Sequence, residues 1–282
     1  MTRVLDLIRT LRTTPPLPSV AFRILEVVRD PDYSIDTLVD LVRTDPSLTA
    51  RVLRLTNSAL FGVPNEITSV GDAVSYVGTR NLVKLVLVCC AANHFRQAST
   101  SIYGDPGTLW RHSFAVATAS QWIARRCGYA ETDTAFTAGI LHNVGKVALS
   151  QAMDDTVPNV VTPQESHCAT EAEMFGIDHA AAAGVVAGTW SLPRELTMAI
   201  RNHHSEREVA KHALAAILGL ADDLVLGLGI GNPFPSIELR PSALAMERLQ
   251  LTAEDLENAG AHVRTELEQN TELLNLNGVS NR

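Results

Sequence analysis

Imidazole nitrogens and carboxylate oxygens are the donors that Zn, Mn and Fe take from proteins. The second half of this chain distributes them in a way that suits a helical bundle. His112, His142, His179, the pair His203 and His204, and Asp222 each fall on a different predicted helix or helix end. Helices that face one another can each bring one such side chain to a common point. A lone histidine on a helix is usually a satisfied core or surface group, but packing alone has no need for so many on separate helices. The chemistry they would support is that of one bound divalent cation, Zn, Mn or Fe: polarising an oxygen ligand or activating water.

The elements that must position these residues are legible in the apolar periodicity. Val4, Leu5, Ile8 and Leu11 recur at helical spacing, so residues 1–14 predict a short amphipathic helix ended by the prolines of TTPPLP. VAFRILEVVR is again helical. In IDTLVDLVRT, Ser34 can cap a helix that puts Ile35, Leu38, Val39 and Val42 on one face. Asp45 before Pro46 predicts another start, because aspartate accepts from free backbone N–H groups and proline loses nothing at the first helical position. That helix is expected to run through SLTARVLRLTNSALFG to near Gly62, with Asn57 bonding backbone near its end. SVGDAVSYVGTRNLVKLVLVCCAANHF predicts one or two helices turning at Gly78, and the polar QASTSIYGDPG at 97–107 marks a lobe boundary. Beyond it LWRHSFAVATASQWIARRCG, TDTAFTAGILHNVGKVALSQAM, EAEMFGIDHAAAAGVVAGTW, RELTMAIRNHH and VAKHALAAILGLADDLVLGLG all read as helical. GIGNPFPSIELRPSALAM reads as a loop-rich link, and LTAEDLENAGAHVRTELEQNTELLN as a terminal helix or pair. No window from 1 to 96 alternates long enough for a strand, so the expected fold class is all-α.

Composition agrees: 46% hydrophobic residues with only 5% aromatic resembles a helical protein more than a β-sandwich. A formal net charge of -8, with no basic run, disfavours nucleic acid and anionic membranes as partners. The first residues carry Asp6 and three arginines through their apolar pattern, unlike a secretory leader, and LVKLVLVCCAA at 82–92 holds Lys84 and is too short to span a bilayer. A cytoplasmic setting is expected. Cys89, Cys90, Cys127 and Cys168 lack C-x-x-C spacing and read as buried free thiols rather than ligands. Trp110, Trp122 and Trp190 read as core. GLGIG at 227–231 looks like a phosphate-binding glycine loop but follows a helix rather than a strand, so no nucleotide role is expected for it.

A longer pattern carries a specific resemblance. LPSVAFRILEVVRDPDYSIDTLVDLVRTDPSLTARVLRLTNSALFG, ITSVGDAVSYVGTRNLVKLVLV, LWRHS, GILHNVGK, EMFGIDHAAAAGVVAGTWSLP and NHH together resemble the HDOD family, the HD-related output domain of bacterial signalling proteins. The most telling parts are DPSLTARVLRLTNSALFG and the run from Glu171 to Pro193. The resemblance covers residues 15–225, as an N-terminal helical lobe at 15–97 and an HD-like lobe at 108–225, and leaves 226–282 as a helical extension. It implies an all-α fold of the HD/phosphodiesterase-like superfamily and a signalling module without established catalysis. The enzymatic cousins, the HD-GYP phosphodiesterases, hydrolyse cyclic di-GMP with two or three metal ions. Their ligand pattern falls on His112, His142, His179, His203, His204 and Asp222, all retained. It also falls on Asn143, where the cousins have aspartate, and on Thr108, where they can have glutamate. The GYP motif after the histidine pair is missing. Lys146 falls where the enzymes approach a phosphate; its alternatives are a solvated lysine or a partner to a carboxylate.

The resemblance thus implies a degenerate metal site, and three functions follow from it. The leading expectation is a non-catalytic regulatory module acting on signalling partners in trans, since only a short helix precedes the matching region. The alternatives are a metal-dependent phosphohydrolase acting on nucleotides or cyclic di-GMP, and a sensor that binds a phosphorylated ligand without turning it over. The pattern does not specify an oligomeric state.

Overall fold

The caps anticipated from the sequence, Ser34 and Asp45, are where the second and third described helices begin. The structure, a computed structural model, describes residues 11, 13–14, 17–28, 30, 32–58, 61–101, 103–152, 167–231 and 241–274; residues 1–10, where a short amphipathic helix is expected, lie outside them. α1 (Ser19–Val27) buries Val20, Ala21 and Ile24. Ser34 accepts from the Asp36 N–H to open α2 (Ile35–Arg43), and Asp45 Oδ1 accepts from the Leu48 N–H at 3.0 Å to open α3 (Pro46–Thr56). α4 (Val70–Val77) and α5 (Thr79–Phe95) meet at Gly78, whose φ of 81° lets the chain bend by 119°. These helices form one compact unit, Pro15–His94 together with Gln269–Arg282, around Leu38, Val42, Val52, Ala73 and Val86.

Two local expectations in this unit are corrected. Ile35 is 50% exposed: as the first helical residue it stands outside the stripe of Leu38, Leu41 and Val42, and Leu41 fills the buried face instead. The helix expected to reach Gly62 stops at Thr56. Asn57 ends it by turning its amide onto backbone, Nδ2 donating to Leu53 O at 2.9 Å and Ile67 O at 2.7 Å while Oδ1 accepts from the Ile67 N–H at 2.8 Å.

A second unit comprises Phe95–Glu268 with Met1–Thr14. Its long helix α6 (Pro106–Arg126) starts at Asp105, which caps Gly107 and Thr108, and is buried along most of its length. The single helix expected over residues 132–153 is two, α7 (Thr132–Leu141) and α8 (Val144–Ala152), with the break on His142 and Asn143. There follow α9 (His167–Phe175), α10 (His179–Thr189), α11 (Arg194–Asn202), α12 (Glu206–Val209), α13 (Ala213–Gly227), α14 (Ala243–Leu249) and α15 (Ala253–Gln269). The last described helix, α16 (Thr271–Leu274), belongs to the first unit.

Within the second unit α8 packs on α10 where Gly145 meets the His179 carbonyl, and a side chain there would overlap that backbone. The link expected to stay loop-like through residue 246 gives way at Ala243 to α14, because Ser242 accepts from the Ala245 N–H; residues 232–240 lie outside those described. α15 is held to α6 by Arg126 Nε donating to Asp255 Oδ1 at 2.6 Å. Trp110 and Trp190 are core residues, 0% and 5% exposed, whereas Trp122 is half-buried.

Among the described residues there are helices and one isolated bridge, Ser101 with Gly104, but no strand. No single described helix is long and apolar enough to cross a membrane; the bent pair α4–α5 passes that test by length and composition only.

Candidate metal centre

The break between α7 and α8 puts His142 at a helix end, where its ring can turn inward. His142 Nδ1 sits 2.7 Å from Gly139 O, and His203, at the C-terminus of α11, repeats the device with Nδ1 2.7 Å from Ile200 O. His112 Nδ1 lies 2.9 Å from Ile230 O, and His179 Nδ1 lies 2.7 Å from Glu171 Oε2, which also accepts the His179 backbone N–H at 2.6 Å. Carbonyls and ionised carboxylates only accept, so each of these four rings carries its proton on Nδ1. His142, His179 and His203 then each keep a lone pair on Nε2, whereas His112 Nε2 faces Asp222 Oδ1 at 2.8 Å. Anchoring the far nitrogen in this way is how proteins orient histidines toward a metal.

The Nε2 atoms converge. Asp222, at mid-α13, has Oδ1 2.8 Å from His112 Nε2 and 3.6 Å from His142 Nε2, and its Oδ2 lies 3.5 Å from His204 Nε2. His204 Nε2 is 3.1 Å from His179 Nε2. Rings of successive histidines lie 4.0–5.5 Å apart, from His112 through His142, His203 and His204 to His179. His112, His142, His179, His203 and Asp222 are at most 2% exposed, while the His204 side chain keeps 28% of its surface. Donor atoms of His112, His142 and Asp222 lie within 4.8 Å of one another, as do those of His203, His204 and Asp222.

This set fits a divalent cation on its own geometry. Nε2 of His142 and of His203 are buried without a hydrogen-bond partner, which is costly for a buried acceptor but natural for a ligand. Burial lowers the affinity of His142, His179, His203 and His204 for protons, helped by neighbouring basic groups and against the pull of Asp222, so neutral ligands are present at pH 7. Burial would raise the Asp222 carboxyl, but its close polar contacts with His112, at 2.8 Å, and His142, at 3.6 Å, outweigh it and hold it well below the usual carboxylate range.

The remaining residues singled out from the sequence are placed differently. Asn143 is fully buried, and neither atom of its amide has a hydrogen-bond partner among the described residues. Thr108 turns its hydroxyl to Asp105 Oδ2 at 2.8 Å, completing the α6 cap. Lys146 is not a solvated lysine: it is 4% exposed, with Nζ 5.6 Å from the centre of the Tyr103 ring. Its charge bears on Glu171, whose carboxyl burial pushes up to about 7 against the opposing pull of Lys146 and the His179 N–H.

Four contributors escaped the sequence reading. Glu171 stood in the quoted run, eight residues before His179, with no role attached. GLGIG, to which no nucleotide role was attached, supplies the Ile230 carbonyl that anchors His112. Gly231 (φ 68°) makes that possible, since a Cβ there would overlap His112. Tyr103, in the polar stretch read as a boundary, is 3% exposed beside Glu171. Cys168, read as a buried free thiol, is half-buried with Sγ 3.9 Å from His179 Nδ1. A cavity of about 410 Å³ opens against His203 and His204, and its two charged lining residues, Glu206 and Asp223, are both acidic.

An all-α bundle that gathers histidines and an aspartate from separate helices is HD-like. More particularly, the chain belongs to the HDOD domain family, whose family model matches residues 14–206. It is similar to an HDOD domain protein with unknown function from Geobacter sulfurreducens, with a TM-score of 0.77 and 26% identity over 98% of both chains. It is also similar to a candidate phosphohydrolase from Shewanella amazonensis SB2B, with a TM-score of 0.63 and 25% identity over 91% of this chain and 97% of that one. An uncharacterized protein of Treponema pallidum (strain Nichols) is 26% identical over 196 residues, 68% of this chain; the alignment spans 37% of that protein's length.

Proposed function

We propose that the chain is a non-catalytic regulatory module that keeps an HD-type pocket as a one-cation or ligand site and acts through signalling partners. The observation that carries this reading is Asn143, buried and neutral beside His142. Two divalent cations 4 Å apart repel by about 17 kcal/mol at an effective dielectric of 20. In two-metal hydrolases a bridging carboxylate offsets that repulsion and both cations activate one water. An amide brings one carbonyl oxygen and no net charge. Asp222 alone neutralises part of one cation, with His112 and His142 as its companion ligands, so a mononuclear Zn, Mn or Fe site is what this pole supports. The acidic lining of the cavity beside His204 also disfavours approach of a phosphate dianion from that side.

The test is turnover. Purified full chain supplied in turn with Mn, Fe or Ni is expected to leave cyclic di-GMP and a generic phosphomonoester uncleaved. Metal-dependent cleavage abolished by His142→Ala would overturn the reading and make the chain a mononuclear phosphohydrolase, the alternative that the inward-facing imidazoles favour.

A further inference from the structure

Residues of α12, α13 and α14 line the cavity of about 410 Å³ beside His204, a volume in the range of small-molecule sites. Part of its wall is apolar: Val209 and Leu220 are buried there, and Leu244 keeps 43% of its surface exposed. The charged part only accepts hydrogen bonds, because it consists of the carboxylates of Glu206 and Asp223. These two lack what their neighbour has. Glu208 gathers Arg207, Lys211 and His212 at 3.3–3.7 Å, whereas neither Glu206 nor Asp223 has an ion pair among the described residues, and no lysine or arginine lines the cavity. Asp223 Oδ2 accepts the Ser242 N–H at 3.3 Å, and its Oδ1 has no hydrogen bond among the described residues. A buried group adds a further acceptor. His203 belongs to the same wall, and its Nε2 has no hydrogen-bond partner. With its proton on Nδ1, His203 can only accept there, and the one-cation site of His112, His142 and Asp222 leaves that lone pair unused.

We infer that this cavity binds an alkylguanidinium group, its charge taken by Asp223 and Glu206 and its alkyl stem lying along the apolar wall. A wall of acceptors calls for a ligand made of donors, and the apolar residues call for one with a hydrocarbon body rather than a bare ion. Guanidinium suits better than ammonium. Its planar fork carries five N–H donors, pairs with a carboxylate bidentately and sheds water more readily. Such a stem packs on apolar surface while its head stays on the charges. The inference deepens the regulatory reading and rests on it for its role: the group is the side chain of an arginine on a signalling partner or a free guanidino compound. Binding itself needs neither a metal nor turnover, so it can fail while the regulatory reading stands, and the reverse.

The experiment is isothermal titration of the full chain with butylguanidinium, in chelator at pH 8. Both carboxyls are ionised there, burial and the charge of Asp222 having pushed Asp223 up to about 7. Saturable binding is expected with a Kd on the order of 1 mM or tighter. Butylurea, of the same shape without the charge, should bind at least tenfold more weakly. Glu206→Gln, at an exposed position, should weaken butylguanidinium about threefold and Asp223→Asn about tenfold. No saturable binding, equal affinity for butylurea, or native affinity in both variants overturns the proposal. A blocked peptide, acetyl-Gly-Arg-Gly-amide, separates the two sources. Affinity at least equal to that of butylguanidinium assigns the site to a partner's arginine, and exclusion of the peptide assigns it to a free guanidino compound.

Discussion

Replacing Gly231 by alanine probes the anchoring of His112 with a built-in control. At φ 68° an alanine costs about 1–2 kcal/mol of left-handed strain. Its Cβ would also overlap the His112 side chain and come 3.0 Å from the Thr108 carbonyl. The loop must then retreat, and the Ile230 carbonyl withdraws from His112 Nδ1. Leaving that buried N–H unsatisfied costs about a further 1–3 kcal/mol, for a total of about 2–5 kcal/mol. Gly229→Ala shares the strain, at φ 72°, but nothing lies within 4 Å of its Cβ. The difference between the two variants therefore belongs to His112. At about 2–4 °C per kcal/mol for a unit of this size, thermal unfolding in chelator should separate them by about 2–12 °C. Mn(II) affinity should fall about 10–100-fold in Gly231→Ala alone. Equal melting temperatures with native Mn(II) binding in both variants would show that the glycine loop does not orient His112.

Asn143→Asp buries an unpartnered carboxylate next to His142 in the chain and is expected to destabilise the metal-free chain by about 3–5 kcal/mol at neutral pH; excess Mn(II) should recover most of the loss, and no recovery in thermal melts would place Asn143 away from the cation. Burial holds His94 at about 4, below its ordinary 6.5. As pH falls, the unfolded chain takes up that proton first, so a contribution of about 3 kcal/mol, complete above about pH 6.5, is lost between there and about pH 4. In urea unfolding across that window, His94→Gln should lessen the pH slope by one proton, and an unaltered slope would contradict the assignment. Asn57→Ala loses the clasp on Ile67 and should cost about 1–3 kcal/mol in chemical denaturation; a change under a few tenths would show the clasp to be dispensable.

What could be read in the sequence was local. Ser34 and Asp45–Pro46 announce helix starts because capping needs only neighbouring backbone, and Gly78 announces its turn because few other residues adopt that φ. The break at His142–Asn143 was invisible for the opposite reason. Residues from Ala135 to Ser150 are buried on every side, so no polar face interrupts the apolar pattern to mark where the chain turns. The anchors of the rings were hidden too. A glycine loop after a helix carries no signature of an imidazole waiting 118 residues upstream. The resemblance pointed to the histidines and Asp222 together, but only the fold brings their donor atoms within 4.8 Å of one another.

The contact between His112 and Asp222 closes a segment of 110 residues. Chain closure over that span carries an entropic cost of about 4 kcal/mol, recovered only once α6 and α13 have docked through their apolar faces. The pocket therefore cannot precede that docking: a chain can contain every helix and still have no place for a cation. Nascent chain emerging from the ribosome would present His112 and His142 long before their carboxylate partner exists, so a cation captured at that stage is held weakly and exchanged. A cation held there would then report that α6 and α13 have docked, as well as that a ligand is bound.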